Sequence, residues 1–336
     1  MPKCGSQVTI CDLPIRFDTY KGCTHDCKYC FVRRNNSQLL SVTRDESADS
    51  LRKFIEGKRN KDTNWCDWNI PIHWGGMSDP FQPAEKKFGY SLEALKVLEE
   101  TQYPVIISTK GKLCIEEPYL STLSRCNVIM QISAVGNSYN QLEEGAPPFE
   151  ERLNMVKVLS GKVKRVNVRI QPYMHECFDE IMLNVKRFAE AGAYGLIFEG
   201  MKFLKKQAGL IKVGGDWCYP ENVLREDFAK LKDECHKYGL KFYCGENRLR
   251  SMSDSLTCCD CDGIEGFVAN TFNCNHLLLG DKVTPNERML ENGTATAFSG
   301  LHQTTIWGKK LRGSSFAKEM LRECKSDTTR ESLGKK

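Results

Sequence analysis

The chain repeats one alternation: a short apolar run, a polar turn, then apolar residues at helical spacing. Residues 14–19 alternate apolar and polar positions and predict a first strand. Further strands are predicted over 70–74, 104–109, 128–133, 166–171, 194–199 and 240–244, and 104–109 shows the continuous apolar run of a buried parallel strand. Between them the spacing predicts helices over 44–57, 91–100, 116–124, 179–191 and 220–238, and one that Pro147 and Pro148 open and that carries Leu153, Val156 and Leu159. Ser91 is the expected cap of its helix, and Gly192 the expected stop of another.

Six or seven strands alternating with helices call for a parallel sheet with helices outside. Right-handed crossovers curl such a sheet toward a barrel, and active groups belong at the C-terminal strand ends. The expected fold class is α/β: a partial (β/α)6 barrel over residues 1–245, with a cysteine-rich C-terminal extension over 246–336. Residues 1–13 read as a short arm, 315–324 as a further helix, and the last dozen residues as frayed.

Composition narrows the class. Of 336 residues 40% are hydrophobic and 27% charged, which fits a soluble globular protein. No apolar run approaches the roughly 20 residues that cross a bilayer, and the N-terminal residues lack a signal-type stretch. A cytoplasmic location without membrane attachment is the expectation. The net charge of +5 is too mild to indicate nucleic acid by itself. Three basic clusters (Lys162, Lys164 and Arg165; Lys202, Lys205 and Lys206; Lys309, Lys310 and Arg312) read as solvated surface, unless several share one face and track a phosphate backbone. Trp65, Trp68, Trp74 and Phe81 lie near the end of the second strand, where aromatic rings suit nucleobases.

The 17 cysteines change the picture most. Disulfides are rare where thiols are kept reduced, and two knots of cysteines point to metal. Cys23, Cys27 and Cys30 fall within eight residues, directly after the first strand. Iron–sulfur clusters are usually held by four cysteines, so three suggest a 4Fe–4S cluster with one iron open to a small molecule. The second knot comprises Cys258, Cys259 and Cys261, flanked by Cys244 and Cys274. Cys244, Cys258, Cys261 and Cys274 are candidates for an auxiliary iron–sulfur cluster or a closed zinc site; simple burial is an equal alternative. Cys66, Cys114, Cys126, Cys177, Cys218, Cys235 and Cys324 are scattered and read as small buried apolar residues.

The spacing of Cys23, Cys27 and Cys30, with Tyr29 before the last, resembles the cluster loop of the radical S-adenosylmethionine (SAM) superfamily. The likeness covers residues 14–245. Residues 20–23, 76–85, 108–110 and 169–172 further resemble the spore photoproduct lyase-like subgroup, often labelled DNA repair photolyases. The resemblance implies a 4Fe–4S cluster on Cys23, Cys27 and Cys30 whose open iron binds SAM. Reduction by an external one-electron donor such as flavodoxin or ferredoxin then releases a 5′-deoxyadenosyl radical that takes hydrogen from substrate. It places Tyr29 and Phe31 against adenine, Gly75, Gly76 and Ser78 around the SAM amino acid with Asp79 nearby, Lys110 on its carboxylate and Ser133 at the ribose. Arg169 and Gln171 share one face of their strand by period two; a charged residue inside the barrel needs a partner, and the SAM carboxylate or Glu199 are candidates. Asn247 and the arginines after the last strand could face the barrel mouth or form a turn.

One position departs from the subgroup. Photoproduct lyases carry a hydrogen-donating cysteine just before the serine of the second-strand loop. Met77 stands there, and a thioether has no S–H to give. The functions left open are a radical SAM enzyme acting on nucleic acid, one modifying a small molecule or peptide, and a non-catalytic zinc-binding interaction protein.

Overall fold

A computed structural model of the chain describes residues 15–34, 40–58, 71–213, 216–255, 257–258, 261, 263–267 and 304–305. The strands are β1 (Ile15–Phe17), β2 (Ile72–Trp74), β3 (Val105–Thr109), β4 (Val128–Ser133), β5 (Arg165–Tyr173), β6 (Gly195–Gly200), β7 (Lys241–Cys244) and β8 (Thr304–Thr305). They form one sheet in the order β7-β6-β5-β4-β3-β2-β1-β8. Every pairing in it is parallel. The crossovers carry α1 (Ala48–Ile55), α2 (Tyr90–Thr101), α3 (Tyr119–Leu123), α4 (Phe149–Leu159), α5 (Phe178–Glu190) and α6 (Glu221–Lys237). Six strand–helix units and a seventh strand thus match the expected (β/α)6 architecture.

The alternation within each strand builds two different faces. Ile72, Trp74, Val105, Ile107, Val128, Met130, Val166 and Val168 face outward and join the buried stripes of the helices in one core. Arg16, His73, Ser108, Gln131, Asn167 and Arg169 share the inner face, as the strand registers require. β2 and β5 are three strand spacings apart, about 14 Å in a flat sheet. Arg169 Nη1 nevertheless lies 3.4 Å from His73 Nε2, so side chains three strands apart meet on this polar inner face.

Segments beyond residue 245 cover what the barrel leaves open. β8 pairs with β1 at one edge. At the other, the Asp254 N–H donates to Phe242 O at 2.9 Å, and Asp254 Oδ2 accepts from Phe242 N at 2.8 Å. Ser253 Oγ accepts from Cys244 N at 3.1 Å. Ile264, Phe267, Cys258 and Cys261 pack on Ile106 and Ile129 at the N-terminal ends of β3 and β4, the floor of the inner face.

Several local expectations shift. Ser91 lies inside α2, which starts at Gly89 in the left-handed region (φ +69°). Its amide and hydroxyl instead bond Glu85 and Thr19. Thr43–Arg44 pairs antiparallel with Tyr20–Lys21, and α1 begins only after Ser47, whose hydroxyl accepts from Ser50 N. Residues 116–124 split because Pro118 caps a short α3, preceded by a 3-10 turn at Lys112–Ile115. The insertion after β6 is a three-stranded antiparallel sheet of Lys202–Phe203, Ile211–Val213 and Asp216–Cys218. The helix expected at 315–324 and the arm at 1–13 lie outside the described residues.

Candidate functional site

The Cys23–Cys30 loop follows β1, at the C-terminal ends of the strands, and other chain segments hold it on several sides. The Gln82 side chain spans its entrance, accepting from Thr24 N at 2.9 Å and donating to Gly22 O at 3.1 Å. The turn after β4 docks on its far side: Lys28 N donates to Leu142 O at 2.8 Å, and Gly145 N to His25 O at 3.1 Å. A Cβ on Gly145 would sit 2.5 Å from Thr24 O, so only glycine lets the two backbones meet. The Tyr29 hydroxyl bonds Glu143.

A histidine inside the cysteine loop makes a further tie. His25 Nδ1 lies 2.9 Å from Gly145 O, and Nε2 lies 3.1 Å from Asp79 Oδ2. Asp79 also accepts from the Thr109 hydroxyl and from Lys110 N, each at 2.6 Å. Burial alone would raise the Asp79 carboxyl; His25, the Lys110 amide and the Thr109 hydroxyl together bring it down to about 2. The loop after β2, the end of β3 and the cysteine loop are thereby joined through one carboxylate.

The fit of a cluster rests on the thiols themselves. None of the three is in a disulfide. Burial pushes the Cys23 thiol up to about 12, while the backbone amides of His25 and Asp79 donate to it and oppose that rise. Burial also raises Cys27, against the neighbouring Lys110 ammonium; Glu143 and Cys30 act in the same direction as burial. Among the described residues, no three His, Cys, Asp or Glu side chains gather around a single-ion position. A cubane binds each thiolate through a different iron, so its ligands need not converge on one point. Three free thiols on a braced loop, with Cys27 close to both others and two backbone amides donating to Cys23, fit such a cluster.

The remaining expected residues divide into two groups. Gly75 (φ +90°) and Gly76 end β2; a Cβ would meet Ser108 O at 2.2 Å in the first case and Arg16 Nη1 at 2.7 Å in the second. The Met77 and Ser78 amides donate to the buried Asp18 carboxylate at 3.1 and 3.2 Å, with Ser78 Oγ 3.4 Å away. Burial raises the Asp18 carboxyl to about 7, against the Met77 and Ser78 amides and the Arg16 charge. Ser78 therefore faces Asp18. Phe31 is 55% exposed, while the Tyr29 hydroxyl is turned inward onto Glu143. The Ser133 carbonyl accepts from Arg152 Nη1 at 2.9 Å.

The second group lines the barrel interior. Arg169 Nε donates to Gln171 Oε1 at 2.6 Å, and Nη1 donates to Ser108 Oγ at 2.6 Å and Gln131 Oε1 at 3.0 Å. Gln171 Nε2 donates to Glu199 Oε2 at 3.0 Å, and Lys202 Nζ to Glu199 Oε1 at 2.7 Å. Gln171 thus stands between Arg169 and the expected partner Glu199. His73 accepts from Arg16 at Nδ1, and its Nε2 lies 2.8 Å from Ser108 Oγ. Burial, then Arg16 and Arg169, hold His73 well below the usual imidazole range, so it is neutral.

Two expectations change. Trp74 and Phe81 are core residues, with Trp74 5.2 Å from the Phe17 ring and 6.3 Å from that of Phe81, so neither meets a nucleobase; Trp65 and Trp68 lie outside the described residues. Lys162, Lys164 and Arg165 stand at the N-terminal end of β5, whereas Lys202, Lys205 and Lys206 follow the C-terminal end of β6. These two basic clusters do not share a face; Lys309, Lys310 and Arg312 lie outside the described residues.

In the second knot, the Cys244 and Cys258 thiols are close enough for their charges to interact. Cys261 packs with Ile106, Ile129 and Phe267 on the barrel floor. Cys259 and Cys274 lie outside the described residues. His25, Asp18, Gln82, Glu143 and Arg152 were not singled out from the sequence, and neither was the role of Asp79 as a tie. Their partners are distant in sequence or are backbone groups, and no local spacing announces them.

No family model matches the chain. It is 24% identical over 233 residues to uncharacterized proteins of Mycobacterium bovis and Mycobacterium tuberculosis, covering 63% of this chain and 66% of each relative. The match therefore spans just under two thirds of those relatives' length. Among solved structures, a spore photoproduct lyase variant is similar with a TM-score of 0.54 at 16% identity, over 67% of this chain and 74% of that one. A second variant, with bound AdoMet and dinucleoside spore photoproduct, has a TM-score of 0.51 at 18% identity, over 68% and 75% of the two chains. Over about two thirds of its length the chain shares the fold of these spore photoproduct lyase structures.

Proposed function

We propose that this protein is a radical SAM enzyme in which Cys23, Cys27 and Cys30 hold a 4Fe–4S cluster. The observation that carries this reading is the position and bracing of the cysteine loop. It lies at the C-terminal ends of a parallel barrel, tied by Gln82, Asp79 and the 142–145 turn. When bound, the cluster supplies the electron that breaks the sulfonium C–S bond of SAM, releasing a 5′-deoxyadenosyl radical that takes hydrogen from substrate.

The chain's own groups orient the reactants. The Gly75–Gly76 turn at the end of β2 is assigned to the SAM amino acid, and the exposed Phe31 ring to adenine. Lys110 supplies positive charge beside the cysteine loop, and Ser133, at the end of β4, is assigned to the ribose. The Arg169–Gln171 network holds polar groups fixed on the inner wall, where a rigid array orients a ligand without reorganising. An external one-electron donor of the flavodoxin or ferredoxin kind is required, and the cytoplasm is the proposed location.

The proposed substrate is a nucleic-acid base. One similar structure holds a dinucleoside photoproduct on this fold, and Lys202, Lys205 and Lys206 follow the mouth end of β6. Met77 gives no S–H, so hydrogen return differs from that of a lyase with cysteine there. A second centre on Cys244, Cys258, Cys261 and Cys274 is a separate proposal; iron well above four per chain, lost on Cys258→Ala with Cys261→Ala, would support it.

Anaerobic purification tests the main reading. The protein should be brown and, once reduced, convert SAM to 5′-deoxyadenosine, with Cys27→Ala abolishing the conversion. A colourless protein that leaves SAM intact overturns the reading. A gel shift on DNA that weakens with salt tests the nucleic-acid assignment.

A further inference from the structure

Beside Cys27 and Tyr29 lies a buried ion pair, Glu143 with Arg152, to which none of the roles above is assigned. Glu143, from the turn after β4, is 2% exposed, and Arg152, from α4, is fully buried. Arg152 Nη2 lies 2.5 Å from Glu143 Oε2, and Arg152 Nη1 donates to Ser133 O at 2.9 Å. Glu143 Oε1 accepts from the Tyr29 hydroxyl and lies 3.7 Å from Lys110 Nζ. That ammonium is itself 5.7 Å from the Tyr29 ring centroid. Two cations and one carboxylate are therefore packed against the segment between Cys27 and Cys30.

We propose that Glu143 is a positioning residue that holds Lys110 and Tyr29 against the cysteine loop and, by its charge, sets the reduction potential of the cluster. This rests on the radical SAM reading above. The physical reason is that a cluster gains negative charge on reduction, and nearby net charge sets its potential. Burial keeps water from screening these charges. Lys110 and Arg152 favour the reduced cluster, and Glu143 offsets one of them. Glu143 also governs where the Lys110 charge sits, because it is the carboxylate that faces Lys110 Nζ.

Two substitutions should move the potential in opposite directions. Glu143→Gln keeps the shape and the acceptor for Tyr29 but removes the negative charge, so the midpoint potential should rise. Lys110→Gln, at a side chain 15% exposed, should lower it. A tenfold change in the reduced-to-oxidised ratio at fixed potential, 59 mV for a one-electron couple, is the scale expected. The experiment is an anaerobic redox titration of the full chain, followed by the electron paramagnetic resonance of the reduced cluster. If Glu143→Gln fails to fold because Arg152 is left without its carboxylate, Lys110→Gln still carries the test. Potentials equal to wild type in every folded variant overturn the proposal. A wild-type chain that binds no four-iron cluster overturns the underlying reading instead, so the two failures are distinguishable.

Discussion

His25 Nε2 lies 3.1 Å from Asp79 Oδ2, which fastens the cysteine loop after β1 to the loop after β2. Asp79→Ala would leave His25, the Thr109 hydroxyl and the Lys110 amide without their shared acceptor. Removing one member of such a buried set costs about 3–5 kcal/mol. The denaturation midpoint should fall accordingly, and iron retained per chain after anaerobic reconstitution should drop by half or more. Wild-type stability and iron content in this variant would show that the tie is dispensable.

Asp18 gives a pH dependence with a defined sign. Its carboxyl keeps a proton in the folded chain up to about pH 7, whereas an unfolded aspartate loses it near 3.8. Between these values the folded state binds more protons, so stability falls as pH rises from about 4 to 7. The contribution is roughly 4 kcal/mol across that window. Asp18→Asn should remove this component while keeping an acceptor for the Met77 and Ser78 amides. Urea denaturation at pH 5 and pH 8 checks it; an unchanged pH slope in the variant would refute the assignment.

Gly75 and Gly89 separate strain from collision. Both have positive φ, but a Cβ at Gly75 meets Ser108 O at 2.2 Å while one at Gly89 meets nothing within 4 Å. Gly89→Ala should cost about 1–2 kcal/mol, the left-handed penalty alone. Gly75→Ala should cost more than about 3 kcal/mol, since backbone must move as well. Equal losses in thermal unfolding would mean that the end of β2 yields more easily than its packing implies.

Arg169 tests the inner wall. A lysine cannot reproduce a guanidinium that reaches Gln171, Ser108 and Gln131 together. Arg169→Lys should lose about 1–3 kcal/mol and weaken SAM binding, which isothermal titration with the reconstituted protein measures. Unaltered affinity would remove Arg169 from the ligand site.

Much of this design was readable before the structure. Apolar runs such as 104–109 and 128–133 announce buried parallel strands because both faces are covered. The cysteine spacing points to the proposed cluster because that pattern is local. The bracing was not readable: Glu143 and Gly145 meet Tyr29 and His25 across more than a hundred residues, and backbone carbonyls leave no mark in a sequence. Trp74 and Phe81 misled for a related reason. Their place near a strand end suggested a ligand, but period two turns Trp74 outward into the helix layer with Phe17. Arg169 and Gln171 were legible as a pair, since alternation fixes their common face, but the polar groups on neighbouring strands that they bond were not.

The pairing of Ile15 with Thr304 bears on how the protein is made. Of the two neighbours of β1, β2 lies close in the sequence, whereas β8 is available only once residue 304 has been synthesised. Until then a nascent chain lacks that partner for β1, the condition under which sheet edges join the wrong strand. For this fold, closing the sheet edge beside the strand that leads into the cysteine loop waits on a segment made long after that loop.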